Sequence, residues 1–299
     1  MSHYLLLADS GSTKTDWLLL CPSGAEARAV TAGLNPFMNT RETLTSVLQS
    51  DLLPALPFAS KDGVVLDPQA KDMEVYFYGA GCRGTGTEDM TSALRTVFPE
   101  ASLHVESDLL GAARAACREE EGIACILGTG SNSCLYDGHD IVQNVSPMGY
   151  ILGDEGSGAV LGRRLIGDVL KHQLPTAVCQ LFAAEYPDTV DDIIRRVYRE
   201  PNANRYLASF APFLGRHRDL EAVQGLIKDE FRRFFERNIA QYGHPEMPLN
   251  FVGSIAFFLR TELQTVAAEM GYRVGRILRS PIEGLREYYL EKEEEKYRK

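Results

Sequence analysis

The chain has 299 residues, 44% hydrophobic and 24% charged, with a formal net charge of −10, which is enough material for two domains with real cores. The acidic balance argues against a broad nucleic-acid or anionic-membrane surface, and no segment approaches the apolar length that spans a bilayer or reads as a secretory leader. The six cysteines (Cys21, Cys82, Cys117, Cys125, Cys134, Cys179) form no C-x-x-C pair and lie mostly in apolar runs. That is the usage of buried free thiols in a reducing cytoplasm, not of a disulfide framework, a metal site or an iron–sulfur cluster.

In chain order, Tyr4–Ala8 and Trp17–Cys21 are apolar runs that predict two short strands around the polar segment Asp9-Ser10-Gly11-Ser12-Thr13-Lys14-Thr15. A hairpin turn rich in Gly, Ser and Thr aims backbone N–H groups and hydroxyls at one point, as phosphate-binding loops do. Asp9, at the strand end, supplies a carboxylate where hydrated Mg²⁺ would sit beside those phosphates. Ala25–Thr31 predicts a third strand, and Ala32–Pro36 is a loop holding Asn35, a turn residue or a ligand contact. A helix is expected over Thr40–Leu52, a strand at Met73–Tyr78, a helix at Glu88–Val97, a strand at Leu103–Glu106 and a helix over Asp108–Glu120. Asp108, directly after a strand, is a natural N-cap. It is also placed for a base that takes a proton from a substrate hydroxyl.

The design then restarts. Ile123–Leu127, the turn Gly128-Thr129-Gly130-Ser131-Asn132-Ser133 and Cys134–Tyr136 repeat the strand–turn–strand unit, with a third strand near Ile141–Val145. Two equivalent turns point to a duplicated fold whose loops grip one polyphosphate. Met148–Gly158 packs four glycines around Asp154 and Glu155, more than a helix cap needs, and reads as close backbone approach to a ligand with Asp154 accepting from hydroxyls. Helices follow from about Gly156 to His172 and from Pro175 to Ala240, including Asp219–Ala240. A strand (Leu249–Val252), a helix (Ile255–Met270), a short strand (Arg276–Leu278) and a tail helix from Pro281 complete the chain. Val252-Gly253-Ser254 is a strand–glycine–helix step against which a flat ring can lie.

Taken together, Asp9–Thr15, Gly128–Ser133 and Val252–Ala256 resemble the two phosphate motifs and the adenosine motif of the sugar kinase, heat-shock ATPase and actin superfamily. Within it the chain resembles the BadF/BadG/BcrA/BcrD ATPase group and its N-acetylglucosamine kinase-like members, chiefly through Gly128–Asn132, Gly153–Ser157 and Val252–Ser254. The resemblance implies an α/β fold of two ribonuclease H-like (actin-like ATPase) domains flanking a nucleotide cleft. Residues 1–110 plus 282–299 would form the first and 111–281 the second. It also implies a cytoplasmic phosphotransferase using ATP and Mg²⁺ on the 6-hydroxyl of an amino sugar, N-acetylglucosamine or N-acetylmuramic acid, and a homodimer. Gly11, Ser12, Thr13, Lys14, Thr129, Gly130, Gly253 and Ser254 would hold ATP, and Asp9 the metal. Asn35, Asn132, Gly149 and Asp154 would hold the sugar, with Asp108 as general base. Two alternatives stay open: an ATPase that activates a CoA-ester dehydratase or reductase, and a nucleotide-dependent sensor without transfer.

Overall fold

The computed structural model describes residues 3–11, 13–56 and 71–298. The chain divides into two units, Met1–Arg118 with Pro281–Lys299 and Glu119–Ser280, and each is built on a five-stranded mixed sheet.

In the first unit the strands are β1 (Tyr4–Ser10), β2 (Lys14–Leu20), β3 (Glu26–Ala32), β4 (Met73–Gly79) and β5 (Ser102–Ser107). β1, β2 and β3 pair antiparallel in succession, while β4 joins the free side of β1 in parallel and β5 follows β4, giving the order β3-β2-β1-β4-β5. β1 is a continuous apolar run because it is central and covered on both faces. One face sends Leu6, Ala8, Trp17, Leu19, Val75 and Phe77 into a core with Leu44, Leu48, Met90 and Leu94. Trp17 keeps its indole satisfied there by donating from Nε1 to Thr31 Oγ1 at 3.0 Å. Helices Asp108–Cys117 and Pro281–Arg298 cover the other face, where Arg114 donates to the Tyr78 hydroxyl at 2.8 Å and that hydroxyl pairs with Tyr289.

The helix expected over Thr40–Leu52 begins at Arg41, because Thr40 caps it by accepting from the Thr43 N–H. It loosens into a π-helical stretch at Leu48–Leu52, just ahead of Pro54, whose ring and missing N–H disturb the α-helical ladder.

The second unit repeats the topology. β6 (Gly122–Leu127), β7 (Ser131–Tyr136) and β8 (Ile141–Val145) form the antiparallel meander, and β9 (Leu249–Val252) and β10 (Val274–Leu278) add in parallel, in the order β10-β9-β6-β7-β8. Ile123, Cys125, Leu127 and Phe251 pack against Phe231, Phe234 and Phe235 of helix Glu221–Arg237 and Leu263 and Val266 of helix Arg260–Glu269. The helix expected over Ile255–Met270 is two helices, Ser254–Phe258 and Arg260–Glu269, broken at Leu259 (φ −106°, ψ 26°). Helix Gly149–Leu152 lies where the sequence showed only a glycine cluster, since four residues carry no readable periodicity. Among the described residues no helix is long and apolar enough to cross a membrane.

Candidate functional site

The first unit collects its polar residues at the carboxyl edge of its sheet. Ser10 ends β1, and its buried hydroxyl bonds Thr15 Oγ1 at 2.8 Å and accepts the Leu34 N–H at 3.0 Å. Ser10 and Thr15 therefore lock the turn to the Asn35 loop. The sequence had presented them as part of the hydroxyl-rich turn, and only their burial reveals the structural use. Gly11 N–H donates to Lys14 O at 3.0 Å and Gly33 N–H to Thr13 O at 3.1 Å. A Cβ at Gly11 would meet nothing nearer than Lys14 O at 3.9 Å, so the turn is open to a ligand. Ser12 lies outside the described residues. Lys14 Nζ bonds Asp16 at 2.7 Å, an exposed pair worth about 0–1 kcal/mol that a phosphate can displace.

Asp9 stands opposite Asp16 on β2 and beside Tyr78 on β4, so the three share one face of the sheet. Two facing carboxylates suit Mg²⁺, which binds through one or two carboxylates and takes its remaining ligands from water and substrate phosphates. The Asn35 Oδ1 accepts the Phe37 N–H at 2.9 Å. A Cβ at Gly81 (φ +84°) would lie 2.3 Å from that same oxygen, so the glycine loop after β4 is shaped to receive Asn35.

Asp108 follows β5, whose last residue Ser107 is level with Gly79 and, through it, with Ser10. It stands two strands from Asp9, about 10 Å at ordinary strand spacing. The helix cap is Ser107, whose Oγ accepts the Leu110 N–H at 3.2 Å, and not Asp108 as the sequence allowed. The carboxylate is thus released from capping; its Oδ1 takes the neighbouring Leu109 N–H at 3.0 Å. Burial raises its pKa above the ordinary aspartate value, while that N–H and the charge of Arg83 pull it down.

The second unit gathers Gly128–Gly130, Gly149, Asp154 and Gly253–Ser254. Gly128 N–H closes the turn onto Gly130 O at 2.9 Å. The carbonyls of Gly128 and Thr129 accept from Gly158 and Ala159 at 2.8 and 3.1 Å, seating the turn on the start of helix Gly158–Leu170. A Cβ at Gly128 would meet nothing within 4 Å, again leaving the turn open. At Gly253 (φ +124°) it would lie 2.3 Å from Leu127 O. Only glycine lets the end of β9 come this close to the end of β6, and that closeness sets Ser254 beside the turn.

Asp154 is buried, with a positive φ of 53°. Burial pushes its carboxyl up to about 6, a backbone hydrogen bond from Ser131 opposes the rise, Glu155 adds to it and Gly149 opposes it. A Cβ at Gly130 would come 3.0 Å from Asp154 Oδ2. Glu155 serves structure, bonding Arg237 and accepting from Asn238 Nδ2 at 3.3 Å. Asn132 Oδ1 accepts from Asn144 Nδ2 at 2.9 Å. No motif pointed to Asn144, and only the pairing of β7 with β8 reveals it.

The raised Asp154 fixes a pH dependence. Unfolded aspartate titrates near 4, so the folded chain keeps this proton to higher pH. The resulting stability is fully present below about 4 and lost as pH rises through about 6. Asp154→Asn is expected to stabilise the ligand-free protein by ~1–3 kcal/mol at neutral pH. Thermal melts from acid to neutral pH check this: across that window the variant should gain stability relative to the wild type, and an unchanged difference between the two would contradict the raised Asp154.

No protein-family profile matches the chain. A Porphyromonas gingivalis protein of solved structure, provisionally named N-acetylglucosamine kinase, is 47% identical over 95% of this chain and 98% of its own, with a TM-score of 0.88. A Chromobacterium violaceum protein with the same provisional name is 18% identical over 94% and 97%, TM-score 0.74, and shares the fold. The glucosamine kinase of Vibrio cholerae is 33% identical over 105 residues; the match spans 34% of this chain and 35% of that curated relative. Through its identity to the Porphyromonas gingivalis protein over nearly the whole of both chains, this chain belongs to the N-acetylglucosamine kinase-like family of BadF/BadG-type ATPases and has their actin-like ATPase fold.

Proposed function

We propose that the chain is an ATP-dependent kinase that phosphorylates the 6-hydroxyl of an amino sugar, N-acetylglucosamine or N-acetylmuramic acid. The observation that carries this reading is Asp108: a partly buried carboxylate relieved of helix capping by Ser107, at the sheet edge that also carries Asp9 and an open glycine–hydroxyl turn. The names of the Porphyromonas gingivalis and Vibrio cholerae relatives supply the acceptor class.

The roles divide between the two units. In the first, Gly11, Thr13 and Lys14 hold ATP phosphates, Asn35 holds a sugar hydroxyl, and Asp108 is the general base. In the second, Thr129 and Gly130 hold phosphate, Gly253 and Ser254 border the nucleoside, and Asn132, Gly149 and Asp154 hold the sugar. Mg²⁺ held by Asp9 would neutralise charge on the transferring phosphoryl group. Because Leu109 N–H occupies Oδ1 of Asp108, Oδ2 is the oxygen that takes the hydroxyl proton as the new O–P bond forms and ADP departs. A base pKa lifted by burial lies closer to neutral pH and takes that proton more effectively. The buried free thiols fit work in the cytoplasm.

ADP release measured with N-acetylglucosamine, N-acetylmuramic acid, N-acetylmannosamine, glucosamine and glucose tests the acceptor. Turnover should be fastest with an N-acetylated hexosamine and weak with glucose. Equal turnover across the panel would contradict amino-sugar selectivity, and silence on every sugar would contradict the kinase reading.

A further inference from the structure

Tyr78 and Arg114 have no role in the chemistry above, yet the contact between them is unusual. Tyr78 is fully buried, and its hydroxyl accepts from Arg114 Nη1 at 2.8 Å and pairs with the Tyr289 hydroxyl. The Arg114 guanidinium is half-buried and lies 5.8 Å from the Tyr78 ring centroid, and its Nε is buried without a hydrogen-bond partner. A guanidinium withdrawn from water carries a desolvation cost, normally offset by a carboxylate. Here the hydrogen bond goes to a tyrosine instead. An apolar side chain of similar volume would pack there at less cost, which leaves placement as the use of the bond.

We propose that Arg114 and Tyr78 are positioning residues that set the carboxylate of Asp108 relative to Asp9; the inference rests on the roles given to those two aspartates above. Tyr78 stands between them. On β4 it is the register partner of Asp9 on β1, so the two side chains share one face of the sheet. Helix Asp108–Cys117 lies over that face, and its Gly111 comes so close that a Cβ there would stand 2.7 Å from Tyr78 Cβ and Cγ. Asp108, Gly111 and Arg114 follow at i, i+3 and i+6, so each neighbours the next on the helix surface. The Gly111 contact sets how deeply the helix sits on the sheet. The Arg114 bond stops it turning or sliding there. Tyr289 holds the same hydroxyl from the tail helix Pro281–Arg298, which fixes the point the helix is tied to. Proton transfer to Asp108 needs this placement, because a reacting group misplaced by about 1 Å can cost ~10²-fold in rate.

Tyr78→Phe keeps the ring and removes the hydroxyl, and Arg114→Met removes the donor. Each should lower kcat about 10-fold while the KM values for ATP and sugar stay within about 2-fold. The double variant should lose no more than either single change, because both break one bond. Arg114→Lys, which can still donate to the tyrosine, should recover most of the rate. In an Asp108→Asn background Tyr78→Phe should cost nothing further, since the pair acts through Asp108. Amide hydrogen exchange at Leu109 and Leu110, whose N–H groups bond Asp108 and Ser107, needs no activity. In Tyr78→Phe it should quicken about 10-fold beyond any change at the β1 amides, as the helix start loosens. Exchange that rises no more there than in β1, an unchanged kcat, or a full additional loss in the Asp108→Asn background overturns the inference. A wild type silent on every sugar, with exchange that still quickens, overturns the kinase reading and leaves the tether in place.

Discussion

Asp108→Asn is expected to lower kcat by ~10²–10⁴-fold while ATP still binds, because the variant keeps the shape of the side chain and loses only the ability to take a proton. The Leu109 N–H and the Ser107 cap remain available to it, so the helix start should be undisturbed and the KM for the sugar nearly unchanged. The pH profile separates this from a general loss of structure. In the wild type kcat/KM should fall on the acid side with an apparent pKa above the usual aspartate range, since burial raises Asp108. The variant's residual activity should lack that limb. Near-normal turnover in the variant would remove Asp108 from the chemistry.

Gly253→Ala should be strongly damaging to the second unit, because its methyl group combines a clash with a backbone conformation that disfavours a side chain. It would sit 2.3 Å from Leu127 O and 2.7 Å from Leu127 C, both backbone atoms that cannot swing away, and at a φ of +124° that L-residues rarely adopt. The end of β9 must then move off β6. A stability loss of about 3 kcal/mol is expected, and the displaced Gly128 turn should bind ATP far more weakly. Chemical denaturation and nucleotide titration read the two effects separately. Full stability together with unaltered ATP affinity would show that the close approach is dispensable.

Much of the duplicated fold is written locally. Each hairpin has a central strand buried on both faces, so it appears as an unbroken apolar run beside a glycine turn, and both β1–β2 and β6–β7 are legible that way. What is not local is not legible. The necessity of Gly253 comes from the carbonyl of Leu127 on a distant stretch of chain. Asn144 reaches Asn132 only because β8 folds back on β7. The site residues have the same limit. Strand ends and glycine turns singled out Asp9, Thr129 and Asp154 as candidates, yet the sequence could not tell a capping Asp108 from a reactive one. Ser107 fills the cap by taking the Leu110 N–H itself, and the reactive role of Asp108 is the proposal that its mutation tests. Nor could it separate the ligand-facing side of the first turn from the buried Ser10–Thr15 pair that anchors it.

The central claim is phosphoryl transfer from ATP to the 6-hydroxyl of an amino sugar, and phosphorus NMR of a reaction with ATP, Mg²⁺ and N-acetylglucosamine tests it most directly. The account predicts a phosphomonoester signal coupled to the two C6 protons of the sugar, growing in step with ADP and absent with Asp108→Asn. Inorganic phosphate as the sole new product, or a phosphoester at another sugar carbon, would contradict it.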